Sequence, residues 1–136
     1  MTNDTEKAIR KAIRDLFPSI PIKHANMPFT KPDSGTWLEL YNLGSDLSAA
    51  TMGRRGGNDS SHVYQITVVT KLNTGTKESE DILNKIASGF QIGSYIVYNG
   101  TKVRVKSLSF GPSFESDGVW KSTCTIYGSS RINRGI

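Results

Sequence analysis

Alternating hydrophobic and polar positions predict a strand near the middle of the chain. From Val63 to Leu72 the sequence is rich in β-branched and aromatic residues, which favour a pleated sheet. Tyr64, Ile66 and Val68 fall on one face, and the residues between them form a more polar face. We therefore expect one face of this strand to meet a core and the other to be partly in contact with water.

The segment after this strand has helical periodicity. Apolar residues recur there at three- and four-residue spacing, at Ile82, Leu83, Ile86, Ala87 and Phe90. Thr76 precedes them at a position where it can cap a helix, and acidic residues follow in the first turn, where the helix dipole favours negative charge. The pattern predicts an amphipathic helix that ends near Gly89 or Gly93.

A β-hairpin is predicted beyond this helix. Asn99-Gly100 separates the strand-like runs Tyr95–Tyr98 and Thr101–Val105, and this residue pair tolerates the positive φ angles of a type I′ turn. The next apolar residues are out of phase with this run, which indicates a bulge near Ser107. A last strand is predicted over Val119–Tyr127.

The N-terminal part of the chain completes the predicted fold. Residues 3–17 form a helix with one apolar stripe, which ends at Pro18, and residues 18–36 form a proline-rich connector that covers the core. A strand follows from Trp37, with an irregularity at Gly44. The order α-β-β-α-β-β-β predicts an α+β fold, with two helices packed on a mostly antiparallel sheet of about five strands.

Two glycine-rich segments are predicted to be loops. Met52–Ser61 contains no apolar residue after Met52, and loops of this kind are either functional or merely mobile. It carries Arg54 and Arg55 between glycines. Gly111–Gly118 is the second loop, with Phe114 at its tip, where the ring is either exposed as a contact surface or folded back onto the core.

The end of the chain is predicted to be a flexible tail. Residues 129–136 carry two basic residues, Arg131 and Arg134, and terminal segments of this kind fray in isolation. We expect the tail to belong to a single domain that spans residues 1–136.

Composition narrows the class of protein. A hydrophobic content of 36% and a mean hydropathy of −0.37 predict a soluble chain, long enough at 136 residues to bury a core. No apolar run approaches the roughly 20 residues of a membrane helix, so no membrane partner is expected. The charged N-terminus lacks the apolar stretch of a signal peptide, and we expect the protein to stay in the compartment where it is made.

Charge leaves two interpretations open. The net charge of +5 and a pI of about 9.4 are compatible with a polyanionic partner. The basic residues are scattered, and no run reaches five. The alternatives are therefore a solvated surface with modest excess charge and a dedicated nucleic-acid face.

No catalytic, cofactor or metal site is predicted. Cys124 is the only cysteine, which excludes an internal disulfide and predicts a small buried core residue. His24 and His62 lie in different irregular segments, without a carboxylate or a second histidine at ligand spacing. Gly53–Gly57 does not match a phosphate-binding loop, because no Gly-Lys-Ser/Thr and no helix follow it.

The chain resembles the phage tail terminator family from about Asp15 to Tyr127. The residues that carry the resemblance are Phe29 and Pro32 ahead of Gly35–Leu40, the strand Val63–Thr70, Gly75 before the helix that ends at Phe90, and the hairpin at Tyr98–Gly100.

The resemblance implies a structural virion protein and not an enzyme. Members of the family form a homohexameric ring that caps the end of the tail tube, stops its polymerisation and offers a surface to the head or neck. The implied partners are other copies of the chain, the tail tube protein and the head–neck connector protein, with DNA passing through the ring. The implied location is the virion tail, after assembly in the cytoplasm of a bacterial host. The expected contact residues are Arg54, Arg55, Phe114, Arg131 and Arg134.

Two alternative functions remain. The first is another ring-forming head–tail joining protein or a tail-tube protein, of which the tube protein would polymerise alone into long cylinders. The second is a small basic nucleic-acid-binding domain, in which Tyr95 and Tyr98 would stack on bases beside the lysines.

Overall fold

The computed structural model describes residues 3–24, 27–33, 35–49 and 57–133 and has an α+β fold. This confirms the predicted fold class. The elements, in chain order, are α1 Asn3–Leu16, β1 Ile22–His24, β2 Trp37–Ala49, β3 Gly57–Lys71, α2 Lys77–Gly89, β4 Tyr95–Tyr98, β5 Thr101–Phe110, β6 Phe114–Ser116 and β7 Val119–Asn133.

The strands form one sheet, in the order β1-β2-β3-β7-β5-β4. The short strand β6 also pairs with β7, beyond the end of β5. All pairings are antiparallel except that of β1 with β2, which is parallel. The sheet is therefore mixed, and it has seven strands where the sequence predicted about five.

Both helices pack on the same face of the sheet, which we call the helix face. The helix α1 lies over β4 and β5, and α2 lies over β3. The core between them contains Ile9, Ile13, Phe17, Leu38, Leu40, Tyr64, Ile66, Val68, Ile86, Phe90, Val103, Val105, Cys124 and Ile126. The alternate strand residues point to the other side, which we call the open face.

The amphipathic pattern of α2 is confirmed, although its ends differ in detail from the prediction. Thr76 occupies the N-cap position, but its side chain makes no capping hydrogen bond. The Ser79 hydroxyl instead donates to the Thr76 carbonyl oxygen at 3.0 Å. Phe90 is the C-cap of α2 and has a φ of −113°, so neither predicted glycine ends the helix. Gly89 is still helical and lies against Leu16 of α1, and Gly93, with a φ of +88°, lies in the following turn, where its N–H donates to the Val105 carbonyl oxygen.

The predicted turn and both predicted irregularities are confirmed. Asn99 and Gly100 have φ angles of 49° and 82°, the positive values of a type I′ turn. The register between β2 and β3 shifts between Asn42 and Gly44, and that between β5 and β7 shifts between Val105 and Ser107. The shift in β5 returns Leu108 and Phe110 to the helix face, opposite Ile126 and Cys124.

Strand pairing overrides part of the predicted first loop and the predicted tail. Residues 57–61 belong to β3 and not to the predicted loop Met52–Ser61, because β2 and β7 pair with them on both sides. Residues 129–133 belong to β7 and not to a frayed tail, because β3 binds their backbone. We call the ends of these three strands, residues 45–49, 57–61 and 129–133, the arm.

Two short strands were also missing from the prediction. β1 lies inside the proline-rich connector, where Ile22, Lys23 and His24 pair with β2. β6 lies inside the predicted loop Gly111–Gly118, and a turn at Asp117 and Gly118, both with positive φ, returns the chain into β7. Backbone pairing stabilises both, although neither is long enough to show a period in sequence.

Candidate functional site

The residues predicted to contact partners lie apart from one another. Arg54, Arg55 and Arg134 are outside the described residues. Arg131 is in the arm, where its backbone lies opposite Asp59 of β3. Phe114 begins β6 opposite Lys121, and its side chain is 44% exposed. Since Arg131 follows Lys121 by ten residues of the same strand, about 33 Å separates Phe114 from Arg131.

The β4–β5 hairpin presents an apolar and basic surface on the open face. Register places Tyr95 opposite Arg104 and Val97 opposite Lys102, so these side chains share one face. Tyr95 is 60% exposed and Val97 is 56% exposed, while Lys102 and Arg104 are also exposed. We call these four residues the hairpin face.

The electrostatic character of the hairpin face is one-sided. No Asp or Glu occurs between Asp81 and Glu115 in sequence, and Lys106 adds a further exposed cation at the bulge of β5. Within the described part of the chain, neither Lys102 nor Arg104 forms an ion pair. The hairpin face therefore combines exposed apolar area with unpaired positive charge.

A groove on the helix face has the opposite character. It has a volume of about 340 Å³ and is lined by Glu80, Leu83 and Asn84 of α2 and by Phe110 of β5. Phe110 is 49% exposed, and its pairing with Cys124 places it on the helix face. We call this surface the α2 groove, and it combines apolar side chains with the carboxylate of Glu80.

Glu80 belongs to a group of acidic residues in the first turn of α2, and its neighbours Glu78 and Asp81 lie outside the α2 groove. Glu78, Glu80 and Asp81 are exposed there, where negative charge favours the helix. Glu78 accepts a hydrogen bond from the Thr36 hydroxyl, and Asp81 pairs with Lys77 at 3.0 Å. Glu80 has no ion-pair partner among the residues that the structure describes.

A buried carboxylate lies on the open face near the end of the connector. Glu39 is 6% exposed and accepts hydrogen bonds from Trp37 Nε1 at 3.0 Å and from the Tyr41 hydroxyl at 2.9 Å. Phe29 covers the Trp37 ring, with centroids 6.0 Å apart, and Lys31 Nζ lies 5.9 Å from the same ring. Burial, and then the hydrogen bond to Glu39, raise the pKa of Tyr41. The cluster closes on itself, so it is a structural support for this end of the sheet.

This cluster also changes the expected environment of β3. The second face of the strand was predicted to be partly wet, and Gln65 and Val63 are half-buried there. Thr67 and Val69 are buried, however, because Trp37 and Glu39 of β2 lie beside them in register.

The titratable residues singled out in the sequence are packed. His62 is buried, and its Nε2 lies 2.8 Å from the Ser130 hydroxyl. Burial lowers the pKa of His62, and burial followed by the charges of Arg10 and Arg14 lowers that of His24. Cys124 is fully buried, and burial raises its pKa to about 11, so the thiol stays protonated and unreactive at neutral pH.

The described parts of the chain contain neither a cluster of metal ligands nor a membrane-spanning helix. No group of three or more His, Cys, Asp or Glu side chains is placed there to hold a metal ion. Neither helix there is long and apolar enough to cross a membrane.

The hairpin face could have been found from the sequence. A two-residue Asn-Gly turn fixes the register of its strands, and alternation then places Tyr95 and Val97 beside Lys102 and Arg104. The α2 groove had no comparable signal, because Phe110 reaches it only through the bulge in β5.

A family model matches this chain, and solved structures share its fold. The family model, described as phage tail terminator protein, matches residues 4–127. No curated protein matches the sequence.

The solved structures agree in fold. One, whose name states no function, has a TM-score of 0.67 and 22% sequence identity, over 96% of this chain and 98% of its own. The other comes from the virion of a native gene transfer agent particle and has a TM-score of 0.52 and 16% identity, over 94% of this chain and 90% of its own. At these identities the two likenesses concern the fold alone.

Proposed function

This chain belongs to the phage tail terminator protein family, and on that premise we propose that it caps the end of a phage tail tube as a ring. The match over residues 4–127 carries the proposal, because it spans both helices and most of the sheet. The family gives the chain a structural role in the phage tail. The finer steps that we propose are closure of a homohexameric ring, arrest of tube polymerisation and attachment to the head–neck connector, without a catalytic step or a cofactor.

The surface of the molecule supports assembly by contacts between unlike patches. The hairpin face and the α2 groove differ in charge and lie on opposite faces of the sheet. Contacts between two different patches generate rings when the rotation closes and filaments when it does not. The net charge of +5 also suits a ring through which DNA passes, since weak phosphate contacts need no base readout.

The test of this function uses tubes assembled from the tail tube protein of the same phage. We expect light scattering and negative-stain images to show closed rings, either alone or on tube ends. We also expect added protein to stop tube elongation. Long cylinders formed by the chain alone would instead favour a tail-tube protein, and a chain that ignores tubes but binds DNA with a steep salt dependence would favour the nucleic-acid alternative.

The residues predicted to contact partners form two groups, of which the first is Arg54 and Arg55. We propose that Arg54 and Arg55, in the segment that joins β2 to β3, contact the tube or a neighbouring subunit. The variant Arg54→Ala/Arg55→Ala should fold but cap tubes poorly, whereas the control Lys7→Ala/Lys11→Ala on α1 should cap normally. Capping by the arginine variant at the level of the unmodified protein would refute this assignment.

The second group is Phe114, Arg131 and Arg134, which we propose contact the tube or the head–neck connector. The exposed ring of Phe114 supports this role, since an exposed aromatic residue is typical of a contact surface. Phe114→Ser should reduce binding strongly, with only a small loss in the free energy of unfolding, because nearly half of the side chain is exposed. Unchanged binding of tubes and of the connector would remove Phe114 from the interface.

A further inference from the structure

We propose that neighbouring copies join by inserting the hairpin face of one subunit into the α2 groove of the next. This inference rests on the proposed function, and it assigns the two surfaces that close the ring. The occupant of each surface is thus a second copy of this chain.

The two surfaces match in both apolar area and charge. Tyr95 and Val97 supply exposed apolar side chains on one surface, and exposed Phe110 with half-buried Leu83 supplies the apolar area of the other. Lys102 and Arg104 are cationic and Glu80 is anionic, and none of the three has an ion-pair partner within the described residues. Complementary charge fixes the register of an interface, while buried aromatic residues supply much of its affinity.

One molecule cannot make this contact with itself. Lys102 and Phe110 are separated by eight residues of β5, which is about 26 Å along the strand. They also point to opposite faces, because Lys102 lies opposite exposed Val97 and Phe110 lies opposite core Cys124. The contact is therefore intermolecular, and when it is repeated in one direction from subunit to subunit it gives the head-to-tail arrangement that a ring requires.

Cysteine cross-linking tests the contact directly. The native Cys124 is fully buried, so a cysteine placed on the surface is the accessible thiol. A mixture of Val97→Cys and Asn84→Cys proteins should give a dimer with a short bismaleimide, and a chain carrying both changes should give a ladder that ends at the number of subunits in the ring. The control mixture of Val97→Cys with Lys7→Cys, on the outer surface of α1, should give no dimer.

A charge exchange provides the second measurement. Arg104→Glu and Glu80→Arg should each weaken association about tenfold or more, because like charges then meet across the interface. The chain with both changes should recover most of the loss, which a merely structural role of either residue does not predict. The effect is measured as the dissociation constant from light scattering over a concentration series, alone and with tubes.

The outcomes separate this inference from the proposed function. If rings form but Val97→Cys and Asn84→Cys do not cross-link in them, and if the rings tolerate both charge changes, the proposed interface is wrong and the proposed function is unaffected. Absence of rings both alone and on tubes would refute the function and the interface together. Salt-sensitive DNA binding that Arg104→Glu abolishes, with assembly unchanged, would identify the hairpin face as a nucleic-acid contact and overturn the inference.

Discussion

At the scale of single residues, burial determines how the charge state of Cys124 affects stability. Burial raises the pKa of this thiol to about 11. The folded state therefore retains a proton that the unfolded chain releases at lower pH. The contribution of the protonated thiol to the free energy of unfolding is fully present below the pKa of the unfolded chain, and it is lost as pH rises through the pKa of the folded state. In that window the free energy of unfolding should fall by about 1.4 kcal/mol per pH unit.

Urea unfolding between the two pKa values of the thiol measures this slope. The Cys124→Ala protein should show a smaller decrease in the free energy of unfolding per pH unit in this window. It should still lose stability at higher pH, because burial raises the pKa of Tyr64 to about 12. Equal slopes for the two proteins would show that Cys124 does not titrate differently in the folded state.

Glu39 carries a second prediction at this scale. Its carboxylate accepts from Trp37 and Tyr41, so Glu39→Ala leaves the buried indole N–H without an acceptor. We expect a loss of about 1–3 kcal/mol in the free energy of unfolding. Tyr41→Phe should cost less, since Tyr41 is only half-buried and Trp37 keeps its acceptor. Denaturant unfolding measures both losses. A Glu39→Ala protein as stable as the unmodified protein would show that these hydrogen bonds do not stabilise the fold.

At the scale of elements, the sequence predicted those whose periodicity is long enough to recognise. The stripes of α1 and α2 and the alternation in β3 were sufficient, and the Asn99-Gly100 turn was confirmed. The strand β1 was missed because three residues between prolines show no period. Residues 57–61 of the arm were missed because Gly57-Asn-Asp-Ser-Ser is typical of a turn, and pairing on both sides overrides that preference.

Of the two candidate surfaces, the hairpin face has a local sequence pattern and the α2 groove does not. The alternation of apolar and basic residues in β4 and β5 is sufficient to predict the hairpin face. The Asp117-Gly118 pair is likewise typical of a tight turn and marks the β6–β7 hairpin, which the sequence prediction did not include. The α2 groove depends on tertiary packing of Phe110 beside a helix distant in sequence, and no local pattern encodes that contact.

The hairpin turn gives a prediction at the element scale. Gly100 has a φ of +82°, and an added Cβ would meet no atom within 4 Å. The cost of Gly100→Val is therefore one of backbone conformation alone, about 1–2 kcal/mol. Gly100→Asn should cost less, because asparagine tolerates this region. The midpoints of urea unfolding compare the stabilities of the two variants. Equal midpoints would show that the positive φ angle is not the source of the loss.

At the scale of the whole molecule, the fold separates the packed core from the arm. The core residue Leu40 precedes the arm along β2, and Tyr64 follows it along β3. The register in the arm continues to Ala49 opposite Asn58 and to Gly57 opposite Asn133. Stability and assembly should therefore respond differently to removal of the arm.

Shortening the arm tests this separation. Replacing residues 48–59 by Asn-Gly and ending the chain at Ser130 keeps Leu47 opposite Ser60, so a two-residue turn can close the hairpin. We expect this variant to lose less stability than Ile66→Ala, a core truncation that costs about 2–5 kcal/mol, yet to cap tail tubes poorly. Unfolding in urea and tube-length distributions in negative stain measure the two effects. Removal of residues 134–136 alone measures the separate contribution of Arg134. A shortened protein that caps tubes normally would place the tube contact outside the arm.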